Sequence, residues 1–120
     1  MAEPVALIVD DNGPMAEVLA EMLQVFQLKS ITVQDGETAL RSLNEAEICL
    51  VITDIRMPKM SGVELLRSIK AQNPDLPVVV ISGYSLAPED DKTVRSIADG
   101  FLNKPFKMED IEALLERLNN

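Results

Sequence analysis

Histidine is absent from this chain and there is one cysteine, Cys49. Ser/His and Cys/His nucleophile pairs, histidine metal sites and a phosphohistidine carrier are therefore excluded. Chemistry has to rest on carboxylates, hydroxyls and lysine. Five such side chains close short apolar runs: Asp10 and Asp11 after Val5–Val9, Asp54 after Ile48–Thr53, Ser82 after Val78–Ile81, and Lys104 after the run around Phe101 and Leu102. Three carboxylates drawn together repel one another and gain proton affinity unless a cation joins them. Ligands that are all oxygen select a hard cation, and a few carboxylates that leave room for water and phosphate oxygens suit Mg²⁺, for which Mn²⁺ can substitute. Lys104 can neutralise both a carboxylate and a phosphoryl oxygen, Ser82 can donate a hydrogen bond to a second oxygen, and the metal can hold a third. A phosphoryl group in transfer spreads its charge over three equatorial oxygens, so this set reads as a phosphoryl-transfer cradle with Asp54 as the nucleophile.

Those positions acquire meaning from the elements that must deliver them. Five apolar runs, Val5–Val9, Ser30–Val33, Ile48–Thr53, Val78–Ile81 and Phe101–Leu102 with its neighbours, alternate with helix-like segments. The first, third and fourth are nearly continuous in Val, Ile and Leu, the pattern of parallel strands covered on both faces by helices. The first helix carries Met15, Val18, Leu19, Met22, Leu23 and Phe26 on one stripe, with Pro14 in its first turn. Asp35 caps a second helix that turns Ala39, Leu40 and Leu43 inward. Ser61 and Glu64 have capping-box spacing and open a third helix, which buries Val63, Leu65, Leu66 and Ile69 and stops at Asn73-Pro74. The fourth starts near Pro88 and presents Val94, Ile97 and Ala98, and the fifth runs from Met108 through Ile111, Leu114, Leu115 and Leu118.

No linker, internal repeat or low-complexity tract interrupts the alternation, so residues 1–120 read as one domain. Right-handed crossovers make it an α/β protein, a three-layer (βα)5 doubly wound sandwich. Ligands of such sheets gather at the carboxyl ends of the strands, where helix N-termini and loops converge. That rim is where the five polar side chains fall.

The formal charge of -9, from 20 acidic and 11 basic residues, produces a long-range field that repels phosphate backbones and argues against direct nucleic-acid binding. No stretch approaches the roughly 18 consecutive apolar residues of a membrane span. Met1-Ala2-Glu3-Pro4 lacks the basic flank and cleavage site of a signal peptide. A soluble, cytoplasmic protein without membrane insertion is the expectation. Cys49, within Ile48-Cys49-Leu50-Val51-Ile52, reads as a small buried hydrophobe.

The segments Leu7-Ile8-Val9-Asp10-Asp11, Thr53-Asp54-Ile55-Arg56-Met57-Pro58, Ser61-Gly62 and Lys104-Pro105-Phe106 stand in an order and spacing that resembles the signature of response-regulator receiver domains, over essentially the whole chain. The resemblance implies a flavodoxin-like fold with strand order 2-1-3-4-5. It also implies phosphotransfer to Asp54 from a histidine kinase or phosphotransfer protein. By the same resemblance, Asp11 and Asp54 bind Mg²⁺ directly together with the backbone carbonyl of Arg56, Asp10 acts largely through water, and Ser82 and Lys104 contact the phosphoryl group. The Lys104-Pro105 bond is then cis, and Met57-Pro58 and Gly62 shape loops. On phosphorylation the Ser82 hydroxyl turns toward the phosphate and Phe101 swings into the vacated space, switching the face formed by the fourth helix, fifth strand and fifth helix, where an effector domain or partner would bind. Phe101 has no hydroxyl, so its part in the switch is packing alone. Arg56 and Tyr84, each two residues beyond a site residue, overlook the path of attacking water and are expected to lengthen the phosphoryl lifetime.

Three other readings compete. A phosphatase of the haloacid-dehalogenase type needs a second acid two residues after its nucleophile, where this chain has Arg56. A flavin carrier would set a phosphate against Asp10-Asp11-Asn12-Gly13-Pro14, which is acidic, and would need stacking aromatics, of which there are 3%. A pseudo-receiver, keeping the fold for phosphorylation-independent contacts, has no use for the complete set of five groups. The reading is thus of a phosphoacceptor and not of an enzyme. A stand-alone regulator and a segment of a hybrid kinase or larger regulator both fit.

Overall fold

The computed structural model describes residues 3–83 and 86–118. Along the chain the elements are β1 (Val5–Val9), α1 (Gly13–Val25), β2 (Ser30–Val33), α2 (Gly36–Glu45), β3 (Ile48–Asp54), α3 (Gly62–Gln72), β4 (Val78–Ser82), α4 (Pro88–Ile97), β5 (Gly100–Asn103) and α5 (Met108–Leu118). All strand pairs are parallel, and the sheet runs β2-β1-β3-β4-β5. This is the flavodoxin-like order, in which the sequence of strand addition reverses between β1 and β3.

Each central strand feeds two cores, because successive side chains leave a strand on opposite faces. Ala6, Ile8, Leu50, Ile52, Val79 and Ile81 pack with α1 and α5 through Leu19, Leu23, Ile111 and Leu114. Leu7, Val9, Val51, Val78 and Val80 pack on the other face with α2, α3 and α4 through Ala39, Leu65, Leu66, Ile69 and Val94. Burial on both sides explains why these strands read as unbroken apolar runs. At roughly 1.5 to 3 kcal/mol for each fully buried large aliphatic, these two layers are the main source of stability.

Helix starts follow local hydrogen bonding. The Asn12 side chain accepts from the Met15 amide at 3.2 Å, Asp35 from Thr38 at 2.7 Å, and Ser61 from Glu64 at 3.2 Å. Each satisfies a donor that the first helical turn cannot pair internally. α4 has no such side-chain cap and begins instead with Pro88 and three acidic residues, Glu89, Asp90 and Asp91, which complement the helix dipole. No helix among the described residues is long and apolar enough to cross a membrane.

Three expectations need correction. Val18 is 48% exposed: it stands about 100° round the helix from Leu19, and the buried stripe of α1 runs through Ala16, Leu19 and Leu23 instead. Cys49 is only half-buried, because the start of β3 borders an open pocket between Phe26, Leu28, Leu115 and Leu118. β3 and β4 each run one residue further than their apolar stretches. Asp54 pairs with Ile81 and Ser82 with Asn103, so both residues belong to the sheet and inherit its rigidity.

Candidate functional site at the carboxyl rim of the sheet

Four strands deliver the polar residues to one rim. Asp10 follows β1, its amide bonded to the Val33 carbonyl of β2. Asp54 is the last residue of β3, and Ser82 the last of β4. The Lys104 amide donates to the Ser82 carbonyl at 3.0 Å, which carries the β4–β5 ladder one residue further and aims Lys104 over the ends of the inner strands. The Lys104-Pro105 peptide is cis.

At the centre Lys104 Nζ lies 2.9 Å from Asp54 Oδ2 and 3.8 Å from Asp10 Oδ2. One carboxylate oxygen from each of Asp10, Asp11 and Asp54 falls within 4.8 Å of the others. The cluster is graded in exposure: Asp10 is buried, Asp54 half-buried and Asp11 exposed. Asp54 is thus reachable from solvent, its side chain retaining 12% of its exposure. Backbone amides complete the shell, since Asn12 donates to Asp10 Oδ1 at 2.9 Å and Arg56 to Asp54 Oδ1 at 3.3 Å.

Burial, the strongest influence, raises the Asp10 carboxyl above its ordinary pKa, and the charges of Asp54 and Asp11 push the same way; the Asn12 amide and Lys104 only partly oppose them. For Lys104 burial acts to lower the ammonium, but the hydrogen bond to Asp54 and the charges of Asp54, Asp10 and Asp11 together hold it above its usual value. Lysine therefore stays cationic, and the three acids carry an excess of negative charge that one ammonium cannot balance. A second cation fits that imbalance. The donors are oxygen without exception, and the open side at Asp11 leaves room for water or a ligand oxygen, a combination suited to Mg²⁺.

The remaining predicted residues stand further out. Arg56 is exposed, on the loop that leaves β3. Phe101 is 36% exposed on β5 and borders a groove with Val94, Arg95 and Ala98 of the α4 side. Tyr84 lies outside the described residues. Two residues matter more than their sequence context suggests. Gly62 is required by contact, because a Cβ there would collide with the Asp54 carbonyl oxygen and stand 2.8 Å from Ile55 Cα; its amide donates to the Ile55 carbonyl at 2.8 Å. Asn12 serves both as the cap of α1 and as the amide donor to Asp10, a double role that its place directly after an acidic pair could have suggested.

The model of the response regulator receiver domain matches residues 6–116. The chain belongs to this family. Among curated relatives of this receiver domain, the C4-dicarboxylate transport transcriptional regulatory protein DctD of Pseudomonas aeruginosa is 36% identical over 109 residues, 88% of this chain and 23% of that protein. The chain thus spans well under a third of that regulator's length. Of solved structures, the receiver domain of NtrX from Brucella abortus is 34% identical, with a TM-score of 0.85 over 94% of this chain and 96% of that one. The response regulator TrrA of Thermotoga maritima, solved in complex with Mg(2+)-BeF, is 29% identical with a TM-score of 0.87, covering 97% of this chain and 99% of that one.

Proposed function

We propose that this receiver domain is a phospho-acceptor that takes a phosphoryl group on Asp54 from the phosphohistidine of a histidine kinase or phosphotransfer protein, in a reaction that depends on Mg²⁺. The observation that carries the reading is the Lys104 ammonium 2.9 Å from the Asp54 carboxylate, within a cluster of three acids. In the transfer an Asp54 carboxylate oxygen forms a bond to phosphorus and the phosphorus–nitrogen bond of the donor breaks. The electron pair leaves on the imidazole, and the product is an acyl phosphate. Lys104 neutralises one phosphoryl oxygen as charge builds, and the Ser82 hydroxyl is the donor to another. The Arg56 amide orients the Asp54 carboxylate through Oδ1. Asp11, Asp54 and the Arg56 carbonyl would hold Mg²⁺ with Asp10 acting through water, and the bound ion supplies the remaining counter-charge.

On this reading the chain, as one domain, is the acceptor and not an enzyme acting on a separate substrate, and its setting is the cytoplasm. The phosphoryl group alters the face of α4, β5 and α5 through Ser82 and Phe101, and that face meets the effector domain or partner. Arg56 and Tyr84 slow hydrolysis of the acyl phosphate; Arg56→Asn combined with Tyr84→Ala should shorten its half-life. Intact-mass measurement after incubation with acetyl phosphate and Mg²⁺ tests the central claim. One phosphoryl adduct is expected, absent from Asp54→Ala and from samples with chelator. An adduct that persists in Asp54→Ala would overturn the assignment, and no adduct on the parent would favour phosphorylation-independent contacts.

A further inference from the structure

The loop between β3 and α3 carries Arg56, whose amide holds the Asp54 carboxylate, yet it is seven residues long and mostly exposed or half-buried. Its start is tied to the sheet by Ile55, which is buried and whose amide donates to the Ile81 carbonyl at 3.1 Å, and two glycine contacts hold the rest. At the α3 end, Gly62 lies flat on the backbone of Asp54 and Ile55. The other contact is remote in sequence: Met60 lays its side chain where the Cβ of residue 36 would be, so that a Cβ on Gly36 would stand 2.6 Å from Met60 Sδ, 3.1 Å from its Cγ and 3.3 Å from its Cβ. Gly36 is the first residue of α2, directly after its cap Asp35, and is buried. Just before Met60 the backbone is bent tightly, with Met60 N donating to Pro58 O at 2.8 Å and Lys59 at a φ of 70°.

We infer that the Met60–Gly36 contact is a positioning device for the metal and phosphoryl site: α2 acts as a fixed seat for Met60 and thereby sets where Arg56 stands relative to Asp54. The inference rests on the reading of the rim as a Mg²⁺ site. Three successive atoms of Met60 crowd the missing Cβ, so a methyl group at residue 36 requires Sδ to shift and Cγ and Cβ to give by a few tenths of an ångström. Gly36→Ala therefore unseats Met60, whereas Met60→Ala empties the seat. Both release the same loop. The double variant fills the emptied seat with the new methyl group and returns part of the support.

Mg²⁺ titration of the unphosphorylated protein by calorimetry or amide chemical shifts is the test, with thermal midpoints in chelator recorded alongside. Met60→Ala and Gly36→Ala should each weaken Mg²⁺ about tenfold, the lower end of what is lost when the support around a metal ligand is removed. Met60→Leu, which keeps the volume, should stay within about twofold of the parent. The double variant should bind more tightly than either single one. A merely structural role would lower the midpoints and leave the affinity of the folded protein unchanged, and that result overturns the inference. If Gly36→Ala does not fold, the Met60 pair decides alone. A parent that binds no Mg²⁺ overturns the reading of the site and this inference with it, while a parent that binds with Met60→Ala unchanged overturns the inference only.

Discussion

Replacing Asp10 by asparagine should make the protein more stable when Mg²⁺ is withheld. The side chain keeps its shape, and its oxygen can still accept from the Asn12 amide, which lies 2.9 Å away. What disappears is a negative charge that faces two others no more than 4.8 Å off and one ammonium at 3.8 Å. At an effective dielectric of about 20, two repulsions of about 3 kcal/mol each outweigh one attraction of about 4 kcal/mol. Desolvation of the buried carboxylate adds to the penalty, and the charge-assisted bond from Asn12 offsets about 1.5 to 3 kcal/mol of it. The net gain from Asp10→Asn is about 2 kcal/mol, which corresponds to a rise of about 8 °C in the melting temperature of a domain this size. The sign agrees with the raised pKa of Asp10: a carboxyl whose folded pKa lies above its unfolded value costs stability once ionised, and regains it as the pH falls through the folded pKa. Thermal unfolding followed by circular dichroism, with chelator and with Mg²⁺, measures both halves. A parent holding Mg²⁺ at 100 times its Kd gains about 2.7 kcal/mol, so the advantage of the variant should vanish there. A variant that melts below the parent in chelator would refute the reasoning, because it would mean that Lys104 already over-compensates the cluster.

Gln27 closes α1 at a φ of 64°, so Gln27→Gly should raise the urea midpoint by about 1 kcal/mol equivalent with an unchanged slope. Lys70 Nζ contacts Asp99 at 2.6 Å and donates to the carbonyls of Leu76 at 2.8 Å and Pro74 at 3.1 Å. Lys70→Met should cost about 1 to 2 kcal/mol in urea unfolding, mostly from the acceptors it leaves behind. The Asp35 pKa is lowered chiefly by the Thr38 amide, so the stability lost in Asp35→Ala is present at neutral pH. That difference should fade as the pH falls through the lowered folded value, and a stability gap constant across an acid titration would argue against the cap.

The rim was legible because each buried strand must end where its neighbours end, and the polar residue that closes a run marks that point, directly after Val9 and Ile81 and, in β3, one residue beyond the buried Thr53. Asp10, Asp54 and Ser82 could be read this way without knowing strand order. Helix direction was harder. The apolar arc of α1 is wider than the face that meets the sheet, so sequence could not tell that Ala16 turns inward while Val18 is left in solvent. Cys49 looked buried because its neighbours in the run are, yet the edge of a core depends on how far α1 and α5 reach past the strand. The contact of Met60 with Gly36 had no local signal at all. It depends on the approach of two elements distant in sequence, and a glycine after a cap is ordinary for reasons of its own.

The same geometry orders the consequences of a phosphoryl group at Asp54. Among the described contacts, Lys104 links the β5 side to the acidic cluster by its ammonium to Asp54 and Asp10, and to β4 by its amide to the Ser82 carbonyl. Beneath it the strands are packed between two apolar cores, and α2 with α3 grips the β3 loop through Gly36 and Gly62. The opposite flank is less tightly held, since α4 lacks a side-chain cap and fully buries Val94 alone and Phe101 stands 36% exposed. If Asp54 accepts a phosphoryl group as proposed, the new charge should pull on Lys104 and Ser82 first, and the flank expected to yield is the one made of α4 and β5.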